Sequence, residues 1–360
     1  MSIKTMGQDA YFAASNSTAG FISYYDEIFR ASRIGHIWAI KGGPGTGKSR
    51  FLHDVADYAT NMGWKCEYIY CSSDPDSLDG IILTKAGKEG LAFLDATAPH
   101  LFEPTCPGAR EDIINLGDFW DGDKLAQRRM EIEQLNREKR DAYRRAYRYL
   151  SGFGDMRANR DALVAPYINR NKIAALAQKL LRDLPCGKAY SASPALIHSL
   201  GMRGEVGFDT YFFEAEEICV IGDCYGAAQY FMMELGKIAN EKRLAVRISH
   251  DPVEAEKIDG LFFKESGIAF AVCPEEECDY PHRQIFMRRF VDTAMMKRVR
   301  RELLAIERIS RALRAEAIEA LEKVREVHFR LEDIYSAAMN FDEKETFTKS
   351  FCKTLFDKMT

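Results

Sequence analysis

The sequence predicts an α/β protein of two tandem domains, each with a mostly parallel sheet and a long α-helical hairpin extension. Three observations predict this fold class. The 360 residues are 46% hydrophobic and 29% charged, as expected of about two globular domains. Short apolar runs typical of buried strands recur in the same order along both halves. Each half then continues into a long segment that is rich in Arg, Lys, Glu and Ala and poor in turn residues.

Charge and composition argue against several classes of protein. Fifty Lys and Arg residues against 54 Asp and Glu give a formal net charge of -4, which disfavours nucleic acid or an anionic membrane as the main partner. The longest apolar runs, such as 37–40 and 91–94, fall far short of the roughly 18–20 residues that span a bilayer. Residues 1–17 show no secretory signal, and the nine cysteines contain no C-x-x-C pair. We therefore expect a cytoplasmic protein with reduced thiols and no membrane span.

The most specific motif lies at residues 42–49, which satisfy the pattern G-x-x-x-x-G-K-[ST]. The run 36–40 before it is typical of a buried strand, and apolar residues recur at helical spacing after it, as this motif requires. Successive backbone N–H groups of such a loop hold phosphate oxygens at a helix N-terminus. The predicted nucleotide-binding residues are Gly42, Gly43, Pro44, Gly45, Thr46, Gly47, Lys48, Ser49 and Arg50. Lys48 is expected to reach the β- and γ-phosphates, and the Ser49 hydroxyl to bind Mg²⁺.

With this motif the chain resembles the P-loop NTPase superfamily. More narrowly, it is similar to an uncharacterised family of bacterial tandem P-loop ATPases, through the segments 71–80, 95–100 and 115–121. The resemblance covers nearly the whole chain and implies two P-loop NTPase-like domains, each with a long helical insertion. It also favours ATP, and no N-K-x-D motif for guanine occurs in the sequence.

An internal duplication is predicted from short matches that keep their order in both halves. They pair residues 20–21 with 207–208, 74–75 with 251–252, 79–80 with 259–260, 90–93 with 267–270, and 119–121 with 290–292. We therefore divide the chain into a first half at residues 1–187, with a helical arm at about 122–185, and a second half at 188–360, with an arm at about 293–360.

The second copy of the phosphate loop, at residues 222–229, has lost its chemical groups. Ala228 stands where the first copy has Lys48, and Gln229 stands in place of Ser49. Asp223 adds a negative charge beside the predicted phosphate position. The second half is therefore predicted to be a nucleotide-binding-deficient pseudo-domain with a structural or regulatory role.

Asp95 is the predicted acid on the Mg²⁺ side of the site, and with Lys48 it is a predicted catalytic residue. It ends the apolar run 91–94, as a second strand of P-loop enzymes ends in a metal-binding Asp. Its counterpart in the second copy is Val272, so the acid is lost together with the lysine. The alternative is an Asp that only ends a strand.

Three further residues are weaker candidates. Asp74 is expected at the carboxyl edge of the sheet, where α/β sites form, but its match to Asp251 makes a structural role an equal alternative. His100 is a candidate for sensing the γ-phosphate. Asp118 is a candidate base, because Asp95 is followed by Ala96 and not by the Glu that many P-loop ATPases use to orient water.

The helical arms carry a coiled-coil pattern. In the second arm, residues 313, 317, 320, 324, 327, 331 and 334 are apolar at spacings of four and three. Residues 151–154 are predicted to form a turn or kink in the first arm. We expect the arms to pack together or against a protein partner, including a second copy of the chain. Interspersed acids favour a solvated face over nucleic-acid binding for their arginines.

Three functions remain open at this point. The first is an ATPase that hydrolyses ATP with Mg²⁺ in the first half. The second is a P-loop kinase that transfers the γ-phosphate to a small molecule or nucleotide, although no compact Arg-rich lid is visible. The third is a nucleotide-sensing binding protein with negligible turnover.

Overall fold

A computed structural model describes residues 2–5, 7–99, 102–274 and 278–359. The first half forms β1 (Ser2–Ile3), β2 (Asp9–Phe12), β3 (Ala14–Ser17), β4 (Gly20–Ser23), α1 (Tyr25–Phe29), β5 (Ile34–Lys41), α2 (Lys48–Asn61), β6 (Lys65–Tyr70), β7 (Leu78–Thr84), β8 (Gly90–Asp95), β9 (Glu111–Asn115), α3 (Gly122–Gln127), α4 (Arg129–Val164) and α5 (Arg170–Leu181). The second half forms β10 (Ser191–Pro194), β11 (His198–Gly201), β12 (Gly204–Phe208), α6 (Thr210–Glu214), β13 (Glu217–Gly222), α7 (Ala227–Glu241), β14 (Ala245–His250), β15 (Ile258–Phe263), β16 (Ile268–Val272), β17 (Arg283–Phe286), α8 (Arg300–Ser336) and α9 (Phe341–Asp357).

The two halves contain sheets of the same design. The first sheet has the order β2-β6-β7-β8-β5-β9, and the second has the order β10-β14-β15-β16-β13-β17. Each has three parallel and two antiparallel strand pairs, at corresponding places. The predicted α/β class with two mostly parallel sheets is therefore confirmed. Central strands such as β8 and β16 are apolar along most of their length because both faces are covered.

The strand registers align the two halves residue by residue. Tyr70 pairs with Leu78 in the first sheet, and His250 pairs with Ile258 in the second. The loops between these pairs have equal length, so Asp74 lies opposite Glu254 and not opposite Asp251. The match of residues 74–75 with 251–252 is thus wrong by three positions, although an acid still stands at the equivalent place. The pairing of Ile40 with Asp95 and of Ile221 with Val272 confirms the Asp95 match.

The halves exchange their last helices. Helix α5 packs on α7 and buries Ile173 and Leu181 beside Phe231 of the second half. Helix α9 packs on α2 and buries Phe356 in the outer core of the first sheet. Equivalent hydrogen bonds fix both crossings: the amide of Asn169 donates to the carbonyl of Phe290, and the amide of Asn340 to that of Phe119, each at 2.8 Å. The hydrophobic cores therefore do not divide between residues 187 and 188.

The long helices α4 and α8 run antiparallel and pack against each other. The predicted seam is buried here, with Leu331 beside Leu135 and Ala317 beside Leu150. Of the two arrangements expected for the arms, packing against each other is confirmed, and α4 of the same chain covers the seam. The turn predicted at 151–154 is wrong, because α4 continues through these residues. Gly154 instead allows Thr18 of the β3–β4 hairpin to approach the helix more closely than any side chain would permit.

A central core joins the inner faces of the two sheets and includes Phe29 from the first half and Phe262 from the second. An ion pair strengthens the junction: Arg247 on β14 donates two hydrogen bonds to the Asp9 carboxylate on β2, at 2.6 and 2.7 Å. All nine cysteines are free thiols. Within the described ranges, no helix combines the length and apolar composition needed to cross a membrane.

Candidate functional site

The loop at residues 42–47 joins β5 to α2, so the predicted strand and helix both flank it. Gly45 and Gly47 have φ angles of 71° and 79°, in the left-handed region that favours glycine. The Thr46 hydroxyl donates a hydrogen bond to the Gly43 carbonyl at 2.9 Å and closes the curl of the loop. The first amides of α2 have no acceptor within the helix, so they are available to an anion at this end.

Lys48 bends back over the loop that precedes it. Its Nζ donates to the carbonyl oxygens of Gly42 and Gly43, both at 2.9 Å, and lies 3.5 Å from Oδ2 of Asp95. The Lys48 and Asp95 side chains are only 12% and 14% exposed, so water screens this pair less than a surface pair. The amide of Thr97 donates to the other Asp95 oxygen at 2.8 Å and fixes the carboxylate.

Ser49 and Asp95, the two residues that the sequence predicts on the metal side, both line the cavity beside the loop and carry oxygen atoms that a metal could use. The Ser49 hydroxyl oxygen accepts a hydrogen bond from the amide of Leu78 at 3.0 Å, which orients it at the edge of the sheet. Across the described residues, no group of three or more His, Cys, Asp or Glu side chains is arranged to hold a metal by itself. Mg²⁺ bound with nucleotide phosphates needs only one or two protein ligands, and prefers oxygen, so the two side chains fit this ion.

A cavity of about 330 Å³ opens beside the loop, within the size range of small-molecule sites. The loop residues 44–49 form one wall, and the carboxyl edge of the first sheet forms another with Asp74, Asp79, Asp95 and Thr97. The remaining walls come from the arms and the second half. They consist of Lys139 and Tyr143 on α4, Met202 in the β11–β12 turn, His328 and Glu332 on α8, and Phe341 on α9.

The weaker candidates divide between this cavity and other places. Asp74 lies in the wall, where burial raises the pKa of its carboxyl. Asp118 is exposed, accepts a hydrogen bond from Asn115 at 2.6 Å and does not line the cavity, so the structure does not place it as a base. His100 lies outside the described residues. Arg50 is exposed and pairs with Asp54 at 2.9 Å on α2, away from the cavity wall.

Three polar residues of the arms enter the cavity wall without a prediction from the sequence. The Nζ of Lys139 lies 2.9 Å from Nδ1 of His328, and Nε2 of His328 lies 3.3 Å from Oε1 of Glu332. Burial lowers the pKa of Lys139, and the charge of Lys48 lowers it further. The sequence gives little indication of a role for them, because all three match the pattern of polar residues on charged helices.

The end of α8 contacts the glycine-rich loop at residues 42–47 directly. The Ser336 hydroxyl donates to the Gly45 carbonyl at 3.1 Å. A Cβ on Gly45 would lie 2.5 Å from the Glu332 carbonyl oxygen, and a Cβ on Gly43 would lie 2.8 Å from the Tyr335 ring. The glycines therefore serve both the turn and the close approach of a helix from the second half.

In the second half, an acidic side chain of the equivalent loop binds the backbone amides of that loop. The Asp223 carboxylate accepts hydrogen bonds from the amides of Gly226 and Ala228, at 2.9 and 2.8 Å. These amides correspond to donors that hold phosphate in an intact loop. Gln229 keeps the structural contact of Ser49, because its Oε1 accepts from the amide of Ile258 at 3.2 Å.

Salt bridges close the second copy further. Arg157 of α4 donates to both Asp251 oxygens, at 3.1 and 2.7 Å, and Lys257 lies 2.6 Å from Asp161. Burial opposes the charge of Asp251, but Arg157 and backbone donors outweigh it and lower the pKa of this acid. Asp251 and Asp161 beside the second loop are thus already paired with Arg157 and Lys257.

Comparisons of the chain with protein-family models, with curated proteins and with solved structures find no match.

Proposed function

We propose that the first half binds ATP at residues 42–49 and hydrolyses it with Mg²⁺. The observation that carries the proposal is the convergence of Lys48, Ser49 and Asp95 on one cavity beside a glycine-rich loop at a helix N-terminus. Each of these groups has a task in phosphoryl transfer: a cation for the β- and γ-phosphates, a hydroxyl and a carboxylate for the metal.

Lys48 is held against the loop that, in this proposal, binds the phosphates. Its ammonium group is bound to two loop carbonyls, at 2.9 Å each, and a nucleotide would replace these neutral acceptors with charged phosphate oxygens. Ser49 and Asp95 would hold Mg²⁺. When bound, this ion would neutralise part of the negative charge of the phosphates. The amides at the start of α2 would bind the phosphate oxygens between them.

The second half acts in this proposal as a scaffold that completes the cavity. Asp223 occupies the amides of its own loop, while Met202, His328, Glu332 and Phe341 contribute walls to the intact site. We therefore propose a nucleotide-binding-deficient pseudo-domain whose role is structural or regulatory.

A phosphate-release assay tests the reaction. With ATP, Mg²⁺ and purified protein alone, we expect inorganic phosphate to accumulate, and removal of Mg²⁺ with a chelator to stop it. GTP in place of ATP should give a lower rate. If phosphate reaches only an added small molecule or nucleotide, the kinase alternative is correct. If nucleotide binds without turnover under every condition, the protein is a nucleotide sensor.

Replacing Asp95 with Asn is expected to reduce Mg²⁺-dependent turnover more than it reduces nucleotide affinity. The amide keeps the shape and the hydrogen bond from Thr97 but removes the charge that attracts the metal. Turnover should fall by roughly 10²-fold, in the range seen when one electrostatic group is removed from an active site. Titration with Mg²⁺ should show a raised half-saturation concentration. An unchanged rate would mean that another residue is the acid that binds the metal. The control is Asp112→Asn, because Asp112 is an exposed acid on β9.

A further inference from the structure

The carboxylate that activates water is missing from the usual place in this site. Asp95 is followed by Ala96, and Asp118 lies outside the cavity wall. The wall contains another acid, Glu332, which comes from α8 of the second half. Its own backbone carbonyl lies against Gly45 of the phosphate loop, so the residue is anchored next to the predicted phosphate position.

The Glu332 side chain is oriented by two residues behind it. An ammonium group can only donate, so Lys139 donates to Nδ1 of His328 across 2.9 Å. Nδ1 is then the acceptor, and the proton of the neutral ring lies on Nε2, which faces Oε1 of Glu332 at 3.3 Å. This chain of donors orients the Glu332 carboxylate within the cavity wall.

The second half shows what happens at the same positions where the chemistry is lost. Trp120 forms a β-bridge with Met339, just after α8, and Val291 forms one with Ile168, just after α4. The C-terminal ends of the two long helices therefore lie at equivalent positions in the two halves. Counting back equally from Met339 and from Ile168 places Glu332 opposite Asp161, and His328 opposite Arg157. Asp161 is held by Lys257 at 2.6 Å and by Arg160, beside the loop glycine Gly226.

The two copies differ in what surrounds the acid at this helix position. In both halves this helix position lies against the loop, through the Asp161 carboxylate beside Gly226 and through the Glu332 backbone beside Gly45. In the closed copy that acid is neutralised by a lysine. In the intact copy the acid faces a cavity that also contains Lys48 and Asp95, and the residue behind it is a histidine. A purely structural contact would not require this difference.

We infer that Glu332 holds and deprotonates the attacking water, with His328 and Lys139 as positioning residues, so that an arm of the second half completes the active site of the first. This inference rests on the ATP hydrolysis proposed above. The water oxygen forms a bond to the γ-phosphorus while its proton moves to the Glu332 carboxylate. The bond from the γ-phosphorus to the bridging oxygen breaks, and ADP leaves with its electron pair. Glu332 then returns the proton to the released phosphate or to solvent.

The ionisation of Glu332 agrees with this role. Burial alone disfavours its charge, but His328 and the charges of Lys48 and Lys139 outweigh burial and lower the pKa of the carboxyl. The carboxylate is therefore ionised at neutral pH, as a proton acceptor must be, while its lowered pKa makes it a weaker base than a carboxyl of ordinary pKa.

The test compares Glu332→Gln with the parent protein. We expect turnover to fall by roughly 10²- to 10⁴-fold, as for loss of a general base. ATP affinity, measured by calorimetry in the presence of a chelator, should stay equal or become tighter, because a negative charge beside the phosphates is removed. Glu326→Gln is the matched control, since Glu326 lies on the same helix and pairs with Lys323 at the surface. It should turn over at the parent rate.

A second variant keeps the inference falsifiable if Glu332→Gln loses structure. Replacing His328 with Gln removes the ring that orients and stabilises the carboxylate, so the pKa of Glu332 should rise. The acid limb of the kcat profile should then move to higher pH, a change that loss of packing alone does not produce.

The outcomes separate this inference from the proposed function. Parent-like turnover in Glu332→Gln, or an acid limb that does not move in His328→Gln, would overturn the role of Glu332 while ATP hydrolysis stands. Failure of the parent protein to bind or hydrolyse ATP would instead overturn the proposed function.

Discussion

Replacing Lys48 with Ala is expected to reduce ATP turnover by roughly 10²- to 10³-fold, the loss typical of removing one electrostatic group from an active site. Lys48 is the cation of the cavity that lies against both the phosphate loop and Asp95. Without it, negative charge that builds up on the β- and γ-phosphates loses its nearest protein partner. Nucleotide affinity should fall as well, because the ground state also uses this contact. Steady-state phosphate release and calorimetry measure the two effects.

The matched control for this variant is Lys85→Ala. Lys85 also donates to a backbone carbonyl, that of Met62 at 2.9 Å, but it does not line the cavity. Its replacement should also remove a lysine bound to a backbone carbonyl, and it should leave turnover unchanged. Parent-like turnover in Lys48→Ala would remove the assignment of the catalytic lysine.

Replacing Arg247 with Ala is expected to lower the free energy of unfolding by about 3–5 kcal/mol, the usual cost of removing one partner from a buried ion pair. Arg247 is 12% exposed and binds Asp9 through two hydrogen bonds at the junction of the halves. Glu67 lies 3.6 Å away and would also lose a cation. Urea unfolding of the parent and the variant gives the difference. Arg144→Ala is the control, because its exposed pair with Asp141 should contribute little.

The same cluster predicts how stability depends on pH. Burial opposes the charge of Glu67, but Arg33 and Arg247 outweigh it and lower the pKa of this carboxyl in the folded protein. A group with a lowered folded pKa stabilises the protein above its unfolded pKa, and this contribution is lost as pH falls through the folded pKa. The parent should therefore lose more stability than Arg247→Ala between neutral and acidic pH. Equal losses would mean that Arg247 does not hold the charge of Glu67.

The features predicted correctly from the sequence depend on local patterns. A short apolar run, a glycine-rich loop and an amphipathic helix define the region around Lys48, and each part forms from residues close in the chain. The seam of α8 was visible for the same reason, since its spacing repeats within one helix. The alignment of Asp95 with Val272 also followed from adjacent strand residues.

The features that the sequence did not predict depend on contacts between distant segments. Gly154 suggested a turn, but its role is to admit Thr18 from a hairpin far away in the chain. The exchange of α5 and α9 has no local pattern, because either helix has an apolar face that fits the helix covering either sheet. Lys139, His328 and Glu332 resemble the other charged residues of the arms until the folded helices place them beside the loop.

The most direct test of the central claim is the number of ATP molecules bound per chain. Calorimetric titration of the parent protein with ATP and Mg²⁺ should give one site per chain, and Lys48→Ala should remove or strongly weaken it. Asp223 already occupies the amides of the second loop, so that half should not add a second site. Two equivalent sites would contradict the pseudo-domain, and one site that persists unchanged in Lys48→Ala would contradict the placement of the nucleotide at residues 42–49.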